Sequence, residues 1–294
     1  MSIIFVMMNK CSAYFRKFPL LFAVLLFFSC GDKSVSIKMK GSDTEVNLAI
    51  NLVEEYTAKN PDFSIAISGG GSGLGITSLL NGQADIANSS RPLSENEIKQ
   101  FKDKNIALRT VIFAEDATAF VVNKDLPIDE IDLSALGKIL SGEIVNWKDV
   151  IAVDLPINIY GRQSSSGTHS FIKKKLKIEF SPAAKEMTGN AQIIEGVRVD
   201  KTGIGYVGAG YLAQDSEQSQ GVKALSIKET KDSPAFSPRN IETINKSLYY
   251  FQRPLYQFIL EDSWTKVKPF IDFENSAKGK EMIQDHGYFI IKHD

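Results

Sequence analysis

Short runs of β-branched and apolar residues alternate along this chain with longer stretches whose apolar positions recur at helical spacing. VSIKMKG predicts a strand and GSDT a turn. In EVNLAINLVEEYTAKNP, Val46, Ala49, Ile50, Val53 and Tyr56 share one helical face, and Pro61 ends the run. SIAIS predicts a strand, LGITSLLNG a helix, ADIANSS a strand and SENEIKQFKDKN a polar helix, after which ALRTVIFAEDATAFVVN reads as long extended chain. The alternation restarts after Asn123 with DLSALGKILSGEIVNW and INIYGRQSSSGTHSFIKKKL. Gln214 to Asn240 is polar and predicts loops with one short strand, SLYYFQRPLYQFIL is apolar and extended, and the tail carries two helical patterns. Strand–helix–strand repetition without an internal repeat predicts an α/β architecture of two lobes with mostly parallel sheets. The extended runs near 110–123 and 246–258 are expected to cross between the lobes, giving lobe 1 as 37–118 plus 247–294 and lobe 2 as 119–246.

The amino terminus follows a different rule. Lys10, Arg16 and Lys17 precede the unbroken apolar run FPLLFAVLLFF, and Ser29 and Cys30 follow it. A basic lead, an apolar stretch too short for a membrane span of about 20 residues, and a small-residue cleavage point predict a secretory signal over 1–29. FFSC resembles a bacterial lipobox, with Phe27 where leucine usually stands. Cys30 is therefore the expected lipidation site and 30–36 the anchor linker. Cys11 is the other cysteine and would leave with the signal, so the exported chain could form no internal disulfide and must rely on an ordinary core.

The formal net charge is −1, and no long basic stripe is present; Lys173 to Lys175 predict the solvated side of a helix. Bulk charge attracts no nucleic acid to such a chain. A local site is still possible, and the glycines raise it. GGGSGLG, from Gly69 to Gly75, fits neither the dinucleotide fingerprint, nor the Walker pattern, nor the G-x-S-x-G elbow of hydrolases. It shares a grammar with two other turns, GSDT (Gly41 to Thr44) and SSSGT (Ser164 to Thr168). Each follows a strand-like run and opens a helix-like run, offering hydroxyls and pliable backbone where helix N–H groups lack partners. One such turn is ordinary capping. Three of them, with Arg162 beside the last, predict a converging oxyanion site, because each helix start acts as roughly half a positive charge.

In that order, KGSDTEV, ISGGGSGLGITSLLNGQADIANSSRPL, AFVVN, LGKILSGEIVNWKDV, YGRQSSSGTHSF, GIGYVGAGY and FQRPLY resemble the phosphate-binding proteins of bacterial ABC-type phosphate import. The resemblance runs from about Ile37 to Tyr256. It implies the two-lobed periplasmic-binding-protein fold, each lobe a mixed, mostly parallel sheet flanked by helices, with the ligand in the interlobe cleft. It implies phosphate contacts from Thr44, the backbone N–H of Glu45, Ser72, Ser90, Arg162, Ser166, Gly167 and Thr168. Two positions depart from the family. Ser90 stands where some members carry an aspartate that accepts the phosphate proton, and Ser164 where an aspartate often supports the arginine. Asp43 is the candidate to restore selectivity, against the plainer reading that it caps the helix after it.

Enzyme readings are weaker. Ser170 and Lys173 fit S-x-x-K and KTG follows at Lys201, but the middle motif of penicillin-recognising acyl enzymes is missing. His169 reads as a helix-face residue, and no Cys/His cluster suggests a metal. Glu115 and Asp116 are neighbours in an extended run, point to opposite faces, and are expected at a solvated edge. The sequence therefore predicts a non-enzymatic receptor without cofactor: an exported lipoprotein, periplasmic or at the cell surface, anchored in the membrane by Cys30. The resemblance implies a monomer that binds inorganic phosphate and delivers it to the membrane subunits of an ABC permease. The alternatives are a receptor for another tetrahedral oxyanion (sulfate, phosphonate or a molybdate-like ion), a non-transport receptor or adhesin on the same fold, and, remotely, an acyl enzyme using Ser170 and Lys173.

Overall fold

The strand β1 (Val35–Gly41) alternates as a half-buried strand must, with Ile37 and Met39 turned into the core and Ser36 and Lys38 outward. The structure, a computed structural model, describes residues 35–212 and 220–291. The predicted signal and Cys30 lie outside the described residues, and the last two positions of the expected linker are already strand. After β1 comes α1 (Val46–Lys59), which buries Leu48, Ala49, Leu52, Val53 and Tyr56. The expected stripe through Val46 and Ile50 is displaced, and Ile50 is 39 % exposed. Eight apolar residues in this helix satisfy two overlapping stripes, and the sheet takes the one with the longer leucines.

The first half continues with β2 (Phe63–Ser68), α2 (Ser72–Leu80), β3 (Ile86–Ser89) and α3 (Glu95–Asp103), then the 16-residue β4 (Leu108–Asn123). Ser94 and Glu97 form a reciprocal capping box that fixes the start of α3. The second half comprises β5 (Glu130–Asp132), α4 (Leu133–Ser141), β6 (Asn158–Arg162), α5 (Gly167–Leu176), β7 (Lys185–Met187), α6 (Asn190–Val199) and β8 (Gly203–Gly208). Two short strands, β9 (Val222–Ala224) and β10 (Ser226–Lys228), stand where one was expected. The chain closes with α7 (Ile241–Asn245), β11 (Gln252–Leu260), α8 (Trp264–Glu274) and α9 (Ala277–Asp285). The extended run before β11 becomes strand only at Gln252, because Tyr249 and Phe251 are drawn into the core beside β4; the Tyr249 hydroxyl donates to the Thr118 carbonyl at 2.7 Å.

The strand order is β2-β1-β3-β11-β4-β8-β6-β7, with β9 added to β4. Parallel pairs form both flanks, while β11 and β4 make an antiparallel seam in the middle. From Leu108 to Ala117, β4 pairs with β11, and from Thr118 onward it pairs with β8. One long strand thus carries the sheet from one half of the molecule to the other. Separate apolar clusters fill the two halves: Leu48, Leu52, Leu255 and Phe270 in one, Phe120, Trp147, Tyr206 and Phe251 in the other. The carboxyl ends of β1, β2, β3 and β6 lead into the turns that carry the candidate site, as open α/β sheets dictate.

Candidate functional site

The three hydroxyl-bearing turns meet. Thr44 Oγ1 lies 3.1 Å from Thr168 Oγ1, although 124 positions separate them in sequence. Ser72 Oγ accepts the Ser90 N–H at 3.1 Å and lies 3.4 Å from the Ser90 hydroxyl. Ser166 caps α5 by accepting the His169 N–H at 3.3 Å. Thr44, Glu45, Ser72, Ser90, Arg162, Ser166 and Thr168 are all buried to within a few per cent. Gly167 sits among them, and a Cβ there would overlap the Ser72 and Ser90 hydroxyls. The starts of α1, α2 and α5 therefore converge on one point, and α1 and α2 have no side-chain cap.

The same geometry explains the glycine turn. Gly71 has φ +112°, and a Cβ on it would stand 2.9 Å from the Ser165 carbonyl oxygen. Gly73 N–H donates to that carbonyl at 3.0 Å, and Gly71 N–H donates to the Gly41 carbonyl at 2.8 Å. Bare backbone is needed so that the three turns can touch one another.

Asp43 does not cap the helix that follows it. Its carboxylate accepts both the backbone N–H and the side-chain amide of Asn190, each at 2.7 Å, and so caps the otherwise uncapped α6 from a distant part of the chain. The same Oδ2 is 3.4 Å from a terminal nitrogen of Arg162. Arg162 also donates to the Thr188 carbonyl at 2.9 Å, while its Nε has no partner among the described residues. Burial lowers the Arg162 pKa, and the charge of Asp43 opposes that shift.

Arg253 is the residue that sequence reading missed. It donates to Asp116 Oδ2 from Nε at 3.0 Å and from a terminal nitrogen at 2.8 Å. That same terminal nitrogen reaches Thr168 Oγ1 at 3.0 Å and Thr44 Oγ1 at 3.3 Å, and the other reaches the Ser90 carbonyl at 3.3 Å. Asp116 is fully buried, which corrects the expectation of a solvated edge: β4 turns Asp116 inward under the seam while Glu115 takes the Gln252 amide at 2.5 Å. The available signal was the one charged residue in a largely apolar strand, because such a charge stays buried only when paired.

The acyl-enzyme pair does not assemble. Ser170 donates to the Ser166 carbonyl at 3.2 Å, and Lys173 pairs with Glu179 at 2.6 Å. His169 lies on α5, stacked on Phe180 with ring centroids 4.5 Å apart. Among the described residues, no helix is long and apolar enough to cross a membrane.

The family profile described as the PBP superfamily domain matches residues 31–277. The phosphate-binding protein PstS of Borreliella burgdorferi is 30% identical over 280 residues, covering 91% of this chain and 95% of that protein. Among solved structures, an ABC-type phosphate transport receptor from Vibrio cholerae is 28% identical with a TM-score of 0.66, covering 87% of this chain and all of that one. A Clostridium perfringens structure with bound phosphate, described as a phosphate ABC transporter substrate-binding protein, is 25% identical with a TM-score of 0.76 over the same 87%.

Proposed function

The chain belongs to the PBP superfamily and, within it, to the PstS phosphate-binding proteins, and from that membership we propose that it captures inorganic phosphate outside the cytoplasmic membrane for an ABC permease. It is a solute receptor rather than an enzyme. The observation that carries the reading is the convergence of three helix starts, the hydroxyls of Thr44, Ser72, Ser90, Ser166 and Thr168, and two buried guanidinium groups at one point. Helix starts hold tetrahedral oxyanions with backbone N–H groups and need no basic surface, which agrees with a net charge of −1.

Thr44, the Glu45 N–H, Ser72, Ser90, Ser166, Gly167 and Thr168 are the proposed anion contacts. Arg162 supplies the paired charge-assisted bonds, and Arg253 holds the Thr44 and Thr168 hydroxyls in register. Residues 37–118 with 247–294, and residues 119–246, act as two lobes that close about β4 and the segment before β11. Cys30 is the proposed lipid anchor of a monomeric protein. Calorimetry with phosphate, sulfate and methylphosphonate tests the function: phosphate should bind most tightly. Equal binding of sulfate would make the protein a general oxyanion receptor, and no binding of phosphate would end this reading.

A further inference from the structure

Glu45 opens α1 at the anion site with its backbone, yet its side chain has no place in that role. The carboxyl is wholly buried, and neither oxygen has a hydrogen-bond partner among the described residues. The groups around it are committed elsewhere. Arg253, from β11, spends its donors on Asp116, Ser90, Thr44 and Thr168. Asp116, from β4, accepts from Arg253 and from the Ala209 N–H. The Tyr211 hydroxyl donates to the Asp43 carbonyl and the Tyr288 hydroxyl to the Thr44 carbonyl. Ser42, in the same turn, accepts the Thr44 N–H, and its hydroxyl proton is the one donor left beside the carboxyl, which it draws down only in part.

The charges sharpen the point. Arg162 is balanced by Asp43 and Arg253 by Asp116. An ionised Glu45 would leave one uncompensated negative charge behind the point where an anion must bind, in a medium that screens poorly. A neutral Glu45 leaves the surroundings balanced and lets the helix starts act on the anion.

We propose that anion capture at this site carries a proton with it, taken from solvent and held on the Glu45 carboxyl. Burial raises that carboxyl to about pKa 8, Asp116 adds to the rise, and Ser42, Arg253 and the Glu45 N–H only moderate it. A bound anion raises it further, so above this range binding must return the proton to Glu45. The inference rests on the proposed function, with inorganic phosphate as the probe.

Calorimetry at pH 9 in two buffers of different ionisation enthalpy counts the protons taken up, where free phosphate is already the dianion. The expected result is close to one proton per phosphate, with affinity falling by about tenfold per pH unit above the carboxyl's own titration. E45Q should take up none and flatten the slope. Binding with no proton uptake by the unmodified protein would overturn the inference and leave the phosphate reading intact, as would uptake unchanged in E45Q. No phosphate binding at any pH would overturn both. Should E45Q fail to fold, infrared difference spectra of the unmodified protein at pH 9 decide: phosphate binding should add the C=O band of a protonated carboxyl, and proton uptake without that band would overturn the inference.

Discussion

The carboxylate of Asp43 accepts two hydrogen bonds from Asn190 at 2.7 Å while standing 3.4 Å from the Arg162 guanidinium. The first turn is thereby fastened to the start of α6 and to the arginine across 147 and 119 positions of sequence. This arrangement favours a positioning role for Asp43 over the expected reading of the anion's proton. Asp43→Asn keeps the shape but loses the charge and one acceptor, a change that typically costs about 1–3 kcal/mol at a buried charged bond. Phosphate and sulfate affinities should therefore fall together, by roughly tenfold to a hundredfold. Improved sulfate binding alone, measured by calorimetry, would return Asp43 to the selectivity role.

Arg253 offers a separation of fold from binding. Breaking a buried pair by removing one partner leaves an uncompensated charge and costs about 3–5 kcal/mol. Arg253→Ala should therefore lower stability sharply by denaturant titration, with Asp116 left alone in the core. The double change Arg253→Met with Asp116→Leu should recover much of that stability, because apolar replacement of a buried pair is often neutral. It should not recover phosphate affinity, since the Thr44 and Thr168 hydroxyls lose their common donor. Full affinity in the stable double variant would remove Arg253 from the site.

Much of this site is visible in the chain before it folds, and the reason is local. A strand, a hydroxyl turn and a helix start occupy adjacent positions, so Thr44, Ser72 and Thr168 can be read from short motifs. What could not be read is contact at a distance. Asp43 looks like the cap of its own helix, and only the fold brings α6 beneath it. Asp116 looks solvated, and only pairing of β4 with β11 supplies the Arg253 that permits its burial. The face of α1 was ambiguous for a different reason: apolar residues are too many for periodicity alone to rank Ile50 against Leu48 and Leu52.

Arg162 is buried, uses one terminal nitrogen on the Thr188 carbonyl, and keeps an unpartnered Nε. A guanidinium with a free donor can grip a planar or tetrahedral oxyanion in parallel bonds, which an ammonium cannot reproduce. Arg162→Ala should weaken phosphate binding by about 2–5 kcal/mol, and Arg162→Lys should recover only part of it. Calorimetry on both variants checks this, with circular dichroism confirming the fold. Unchanged affinity in the alanine variant would place the anion away from Arg162.

Glu274, at the end of α8, is buried against β11; its Oε1 accepts the Gln257 amide at 3.0 Å, and its Oε2 has no partner among the described residues. Burial raises its pKa from 4.5 to about 8, with the Gln257 bond opposing the shift only in part. A carboxyl raised on folding holds its proton in the native state and loses it in the unfolded one. Its stabilising contribution is therefore complete below about pH 4.5 and is lost as pH rises toward 8. Each such group adds a downward slope of about 1.4 kcal/mol per pH unit within that window. Glu45 shares the window, since its pKa is raised to about 8 as well. Asp85, Glu97 and Asp200 are shifted downward instead and act only at lower pH, while His169, lowered by burial and by Lys173, adds an opposing upward slope below its ordinary 6.5. Glu274→Gln, neutral at every pH, should halve the slope between pH 6.5 and 8, above the range of His169, and make the variant the more stable protein at pH 9. Urea titrations across that range measure it directly, and an unchanged slope would mean that Glu274 ionises in the folded protein as freely as it does in water.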